Sequence, residues 1–174
     1  MWFGTNDGLN RWDGYDFTIY RYNAHDKKSI KGNKIYAITE DSYGMIWVGS
    51  RTGGLSCYDR QTDEFTSYLH DPNDSLSISS NFVSFIYEDR QKNLWVGTLG
   101  GGLNLFDRNS GKFQRIHFLC KDLYCHEVLP FNNLTSILQD RQGRLWIAGY
   151  YPGIAVFDPI SQSLSIITFH LDSM

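Results

Sequence analysis

Residues Asn81 to Phe113 read NFVSFIYEDRQKNLWVGTLGGGLNLFDRNSGKF, and most of the remaining chain is that unit written again. Its skeleton is Glu88-Asp89, then Leu94-Trp95-Val96-Gly97-Thr98, then Gly101-Gly102-Leu103, then Phe106-Asp107. The same skeleton runs earlier as Glu40-Asp41, Ile46-Trp47-Val48-Gly49-Ser50, Gly53-Gly54-Leu55 and Tyr58-Asp59. It runs later as Gln139-Asp140, Leu145-Trp146-Ile147-Ala148-Gly149, Pro152-Gly153-Ile154 and Phe157-Asp158. A shortened copy opens the sequence with Met1-Trp2-Phe3-Gly4-Thr5, Gly8-Leu9 and Trp12-Asp13.

Spacing ties the copies together. Trp47, Trp95 and Trp146 each have an aspartate six positions before and another twelve after, and Asp13 lies eleven after Trp2. The tryptophans are 45, 48 and 51 residues apart, and the variation falls between the units. A repeat of this length, made of short strands, reads as one propeller blade per copy. The expected fold is therefore all-β: a partial β-propeller of about 3.75 four-stranded antiparallel blades, an arc or half-ring.

The expected boundaries make residues 1–174 one partial propeller domain. Blade 1, without its first strand, is 1–22; blade 2 is 33–69; blade 3 is 81–118; blade 4 is 132–169, for 15 strands. Met1 sits in the apolar column of Ile46, Leu94 and Leu145, so the sequence opens inside a blade. It is expected to be a piece of a longer protein or a reading frame taken from a late start. The connector NAHDKKSIKG (23–32) is read as matching HDPNDSLSISS (70–80) through its His-Asp and Ser-Leu/Ile elements. In the turn before Trp95, Lys92 stands where Gly44 and Gly143 stand, so Asn93 is expected to take the left-handed conformation there.

Composition narrows the function classes. Aromatic residues make up 16%, and all five tryptophans fall in repeat columns, which places them in the blade core. A net charge of -3 with scattered Lys and Arg gives no basic stripe for nucleic acid. No apolar run approaches the roughly 20 residues of a membrane span. Cys57 shares a column with Leu105 and Val156 and reads as a small core residue. Cys120 and Cys125 share a loop and can pair in an oxidising compartment; with His126 beside them they are only a weak metal motif. No metal or other cofactor is expected.

The aspartate columns, Asp41, Asp89 and Asp140 and then Asp59, Asp107 and Asp158, begin turns, where the side chain bonds its own backbone two residues on. A catalytic carboxylate is needed once per protein rather than once per blade. Together with Trp2, Trp47, Trp95 and Trp146 they are assigned to the scaffold. Catalytic residues are expected to be absent: there is no nucleophile elbow or phosphate loop, and no acidic pair is read outside the turn columns except the loop residues Asp71, Asp74 and Glu127.

The unit N-x-(I/V)-x-x-I-x-E-D-x-x-G-x-(I/L)-W-V-G-(T/S)-x-x-G-G-L-x-x-(Y/F)-D, with the connector HDPNDSLS, resembles the two-component regulator propeller repeat of hybrid sensors from gut Bacteroidetes. The resemblance runs along essentially the whole chain. It implies a periplasmic, glycan-sensing, non-catalytic module whose larger parent has paired seven-bladed propellers, a membrane helix and a histidine kinase. About 3.75 blades do not close a seven-bladed ring, so self-association, or the remainder of a larger propeller, is expected to cover the end blades.

In a meander, the loops between second and third strands share a face with the connectors between blades. That face has the more varied segments and is where an oligosaccharide is expected to bind. Tyr150 and Tyr151 break the repeat most and offer rings for stacking, the alternative being that they pack on the connector 119–131. Arg51, His25, His70, Tyr124 and His126 are further candidates, each histidine being also readable as a solvated loop residue or turn partner. The alternatives to a sensor are a protein-interaction scaffold and, behind it, a polysaccharide-degrading propeller enzyme.

Overall fold

The computed structural model describes residues 1–116, 132–150 and 153–167, and its secondary structure is strand throughout those residues. Blade 1 has β1 (Trp2–Thr5), β2 (Gly8–Trp12) and β3 (Phe17–Tyr20). Blade 2 has β4 (Ile35–Glu40), β5 (Ile46–Ser50), β6 (Leu55–Asp59) and β7 (Glu64–Tyr68). Blade 3 has β8 (Val83–Glu88), β9 (Leu94–Thr98), β10 (Gly102–Asp107) and β11 (Lys112–Ile116). Blade 4 has β12 (Leu134–Gln139), β13 (Leu145–Gly149), β14 (Ile154–Asp158) and β15 (Ser163–Ile167).

Every sheet is an antiparallel meander with its strands in chain order, and among the described residues no sheet joins blade 1 to blade 4. The molecule is a partial propeller, open rather than closed. The register repeats as the sequence does: Trp47 stands opposite Cys57, Trp95 opposite Leu105 and Trp146 opposite Val156. The innermost strands β4, β8 and β12 each break register once, at Tyr36, Ser84 and Thr135. Such a bulge re-aims the extra side chain.

The core lies between blades. One cluster joins Trp47 and Leu55 of blade 2 to Val83, Val96 and Phe106 of blade 3; another joins Trp95 and Leu103 to Leu145 and Phe157 of blade 4. The recurring contact is the second-strand tryptophan of one blade against the third-strand aromatic of the next. Trp2 meets Tyr58 at 4.9 Å, Trp47 meets Phe106 at 5.1 Å and Trp95 meets Phe157 at 6.1 Å between ring centroids. Each such ring, once buried, is worth about 1.5–3 kcal/mol. The β5 and β9 strands, covered on both faces, are buried at every residue.

Placing all five tryptophans in the core is corrected here. Trp47 and Trp95 are buried, but Trp2, Trp12 and Trp146 are half-buried. Trp12 lies in the column that packs on a preceding blade, and Trp146 in the column that packs on a following one. Close approach between blades also explains the glycine after the Trp-Val pair. A Cβ on Gly49 would stand 2.4 Å from Cγ1 of Val83 in blade 3.

Two local expectations are also corrected. Lys92 itself takes the left-handed conformation, with φ 66°, matching Gly44 at 79° and Gly143 at 88°. The turn keeps its shape because Asp89 accepts from the amides of Gln91 and Asn93, whichever residue fills the third position. The connectors match in a different register. Asn23 and Asp71 cap the amides two residues on, and the Ser29 and Ser77 hydroxyls donate back to the carbonyl oxygens of Asn23 and Asp71. His25 is therefore level with Asn73, and His25-Asp26 is not the counterpart of His70-Asp71. Each connector then plugs a buried isoleucine, Ile30 or Ile78, into the core and accepts the amide of Phe65 or Phe113 from the outer strand of the following blade.

Candidate functional site

The meander gives the arc two faces with different chemistry. The hairpin face carries the first-to-second and third-to-fourth turns, and with them the aspartate columns. In each complete blade one oxygen of the first aspartate accepts turn amides and the other accepts the indole N–H six residues on. The indole bonds are Trp47 to Asp41 at 2.6 Å, Trp95 to Asp89 at 2.8 Å and Trp146 to Asp140 at 2.9 Å. A second donor completes each Oδ2: Arg108 on Asp41, Asn93 on Asp89 and Arg144 on Asp140. Burial raises the Asp41 and Asp140 carboxyls, but the indole, turn-amide and guanidinium donors outweigh it. Both are held below the ordinary carboxylate value, Asp140 at about 2.

Arg108 bridges two blades. Its Nη1 donates to Asp41 of blade 2 at 2.6 Å and its Nη2 to Glu88 of blade 3 at 2.8 Å, while Glu88 also accepts the Ser42 amide. In blade 4, Pro159 stands in the place of Arg108 and Gln139 in that of Glu88. The amide of Gln139 spans the corresponding junction between blades 3 and 4, accepting from Arg90 N at 3.0 Å and donating to Gln91 at 3.1 Å. Losing both charges together leaves no carboxylate stranded at the interface. The third-to-fourth-turn aspartates are spent as well, Asp59, Asp107 and Asp158 each accepting the amide two residues on. A groove of about 360 Å³ on this face lies between Tyr43, Lys92, Phe106 and Arg108. Both cations in it already lie over the Tyr43 ring.

The connector face is built differently. Arg51, Leu99 and Tyr150 are equivalent residues just beyond the second strands, and their amides donate to the carbonyl oxygens of Lys34, Phe82 and Asn133. Tyr150 is 71% exposed. The Arg51 guanidinium lies 5.9 Å from the Phe82 ring centroid, and Tyr36, which is exposed, sets its ring edge-on to Phe82 at 4.8 Å. Arg51 has no ion-pair partner among the described residues. His70 Nδ1 donates to the Ile78 carbonyl at 2.8 Å, a bond that fastens its own connector. His25 is exposed on the other connector. Tyr151, Tyr124, His126, Cys120 and Cys125 lie outside the described residues.

The sequence thus singles out Arg51 and Tyr150, which the fold puts at equivalent places, but passes over Lys34, Tyr36 and Phe82. The available signal was disagreement between copies: Lys34, Phe82 and Asn133 share one column, and Tyr36, Ser84 and Thr135 another. Scaffold columns repeat, and these do not. Among the described residues no group of three His, Cys, Asp or Glu is placed to hold a metal ion, and no helix is long and apolar enough to cross a membrane. Cys57 is buried in the core, which pushes its thiol up to about 12.

Comparison with known proteins places these observations. Residues 29–52, 77–100 and 128–151 each match the two component regulator propeller family. The extracellular domain of a putative hybrid two component system from B. thetaiotaomicron superposes with a TM-score of 0.82 at 28% identity, over 97% of this chain and 23% of that one. This chain therefore spans about a quarter of that domain. A histidine kinase, P4, of Formosa agariphila is 57% identical over 30 residues, which is 17% of this chain and 2% of that protein. Virginiamycin B lyase from Staphylococcus aureus shares the fold, with a TM-score of 0.70 at 17% identity over 98% of this chain and 52% of the lyase.

Proposed function

From the three segments that match the two component regulator propeller family we infer that the chain works as part of a periplasmic, non-catalytic sensor that binds an oligosaccharide on its connector face. One observation carries the reading. The hairpin-face aspartates of the repeat are consumed in holding indoles, turns and blade junctions, whereas Arg51, Tyr36 and Tyr150 on the connector face stand exposed. A sugar offers a C–H face for the rings and hydroxyls for the polar groups. It signals by binding one arrangement of the sensor better than another, and no bond need be broken.

The half-buried Trp12 and Trp146 supply the partner side of the reading. Around Trp12 the exposed Phe17, 4.7 Å away, extends an apolar end face, and Ile19 at 49% exposure adds to it. Further blades of the same repeat, or a second copy of this chain, cover these ends. The experiment titrates a panel of oligosaccharides against the full polypeptide that carries this sequence, read by calorimetry and by chromatography of the sugar. Saturable binding without cleavage supports the sensor. Cleavage products would replace it with an enzyme, and absence of binding across the panel would replace it with a protein-interaction scaffold.

A further inference from the structure

Apart from Asp7 in blade 1, the inner rim of the connector face carries no negative charge among the described residues. Segments 31–36, 50–54, 79–84, 98–102, 132–136 and 148–150 contain Lys31, Lys34 and Arg51 and no Asp or Glu. Asp7, in the corresponding loop of blade 1, is held by Arg21 at 2.7 Å. The acidic columns sit on the opposite face. Lys34 and Arg51 are cross-strand partners one step beyond the Ile35–Ser50 pair, and the Arg51 amide donates to the Lys34 carbonyl at 2.9 Å. Like charges directly opposite on a ladder repel. Neither is neutralised by an ion pair among the described residues.

Scaffold logic explains the other cations that the blades hold close. Arg108 bridges Asp41 and Glu88, and Arg144 completes Asp140. It does not explain Lys34 and Arg51, whose counterparts in the next two blades are Phe82 and Leu99, then Asn133 and Tyr150. The fold therefore needs no charge at either position. Beside the pair stand two rings, Tyr36 re-aimed by the bulge and Phe82 under the guanidinium.

We propose that Lys34, Arg51, Tyr36 and Phe82 form the subsite for an acidic saccharide, one bearing a uronate carboxylate or a sulfate. The ring pair receives the apolar face of the sugar. The guanidinium takes the anionic group through two parallel N–H bonds, and the ammonium adds a point charge. This rests on the sensor reading above and narrows it to anionic ligands, at a junction between blades 2 and 3 that sequence alone had not joined.

The test compares three probes on the full polypeptide: oligogalacturonate, a sulfated oligosaccharide of equal length and a neutral cello-oligosaccharide. Calorimetry is run on the wild type and on Arg51→Gln with Lys34→Gln, with unfolding temperature as the control for folding. At least one acidic probe is expected to bind, to weaken with added salt, and to lose roughly tenfold or more in the double variant at unchanged unfolding temperature. The probe that binds tells carboxylate from sulfate. Binding of the neutral probe alone, or acidic binding indifferent to the double variant, overturns the subsite and leaves the sensor reading standing. Failure of all three overturns both.

Discussion

The indole N–H of Trp47 donates to Oδ2 of Asp41 across 2.6 Å, joining the second strand of blade 2 to the turn that precedes it. The same bond recurs in blades 3 and 4, so the aspartate six residues before each tryptophan is half of a staple. A double-mutant cycle of Trp47→Phe and Asp41→Asn, followed by urea unfolding, is expected to give a coupling of about 1.5–3 kcal/mol, the range for a buried bond to a charged acceptor. Additive effects would reduce the pair to two independent packing residues.

Arg108 holds two carboxylates that belong to different blades. Arg108→Ala removes the guanidinium from both and is expected to cost about 2–3 kcal/mol, less than for a fully buried pair because the guanidinium is partly exposed and each carboxylate keeps other donors. Adding Glu88→Gln, the residue blade 4 uses in this place, should restore part of the loss. A double variant less stable than Arg108→Ala would show that the bridge is not what limits this junction.

The left-handed Lys92 carries a cost that glycine avoids. Lys92→Gly relieves about 1–2 kcal/mol of backbone strain and returns some of it as unfolded-chain entropy. The expected net effect is a gain of about 0.5–1 kcal/mol by thermal unfolding. Gly49→Ala runs the other way: its methyl would meet Val83, and overpacking of this kind costs about 1–3 kcal/mol.

Acid should loosen the blades in a defined window. The Asp41 and Asp140 carboxyls titrate lower in the fold than in the unfolded chain. Between the two values the unfolded chain binds more protons. The stabilisation is therefore complete above the ordinary carboxylate value of 3.8 and is lost as pH falls toward the folded value, about 2 for Asp140. Urea midpoints are expected to hold steady from about pH 7 to 5 and to fall steeply below about pH 4. Asp140→Asn should flatten part of that fall, and midpoints that rise on acidification would contradict the assignment.

Repetition made the blade legible, because a column filled alike in several copies reports the demands of the fold. Trp47, Gly49 and Asp41 could be aligned with their counterparts before any contact was known. The bond between Trp47 and Asp41 was visible only as a spacing, since an interval of six residues does not say that a hairpin brings the two side chains together. The Asp41–Arg108 bridge spans 67 residues and two blades, so no local pattern announces it. Lys92 escaped because side-chain type is a weak guide once Asp89 fixes the turn. At the candidate site the sequence drew attention to Tyr150 and Arg51 as irregular loop residues. It could not place Phe82 beneath Arg51, because that contact exists only after two blades pack.

The division of labour between the two faces is the central claim, and hydrogen exchange read by mass spectrometry tests it most directly. The full polypeptide is compared with and without saturating amounts of each acidic oligosaccharide, oligogalacturonate and the sulfated one. Slowed exchange is expected over residues 31–36, 50–54 and 79–84, with the hairpin-face turns 41–45 and 89–93 unchanged. Protection centred on those turns, or none at any segment, would contradict it.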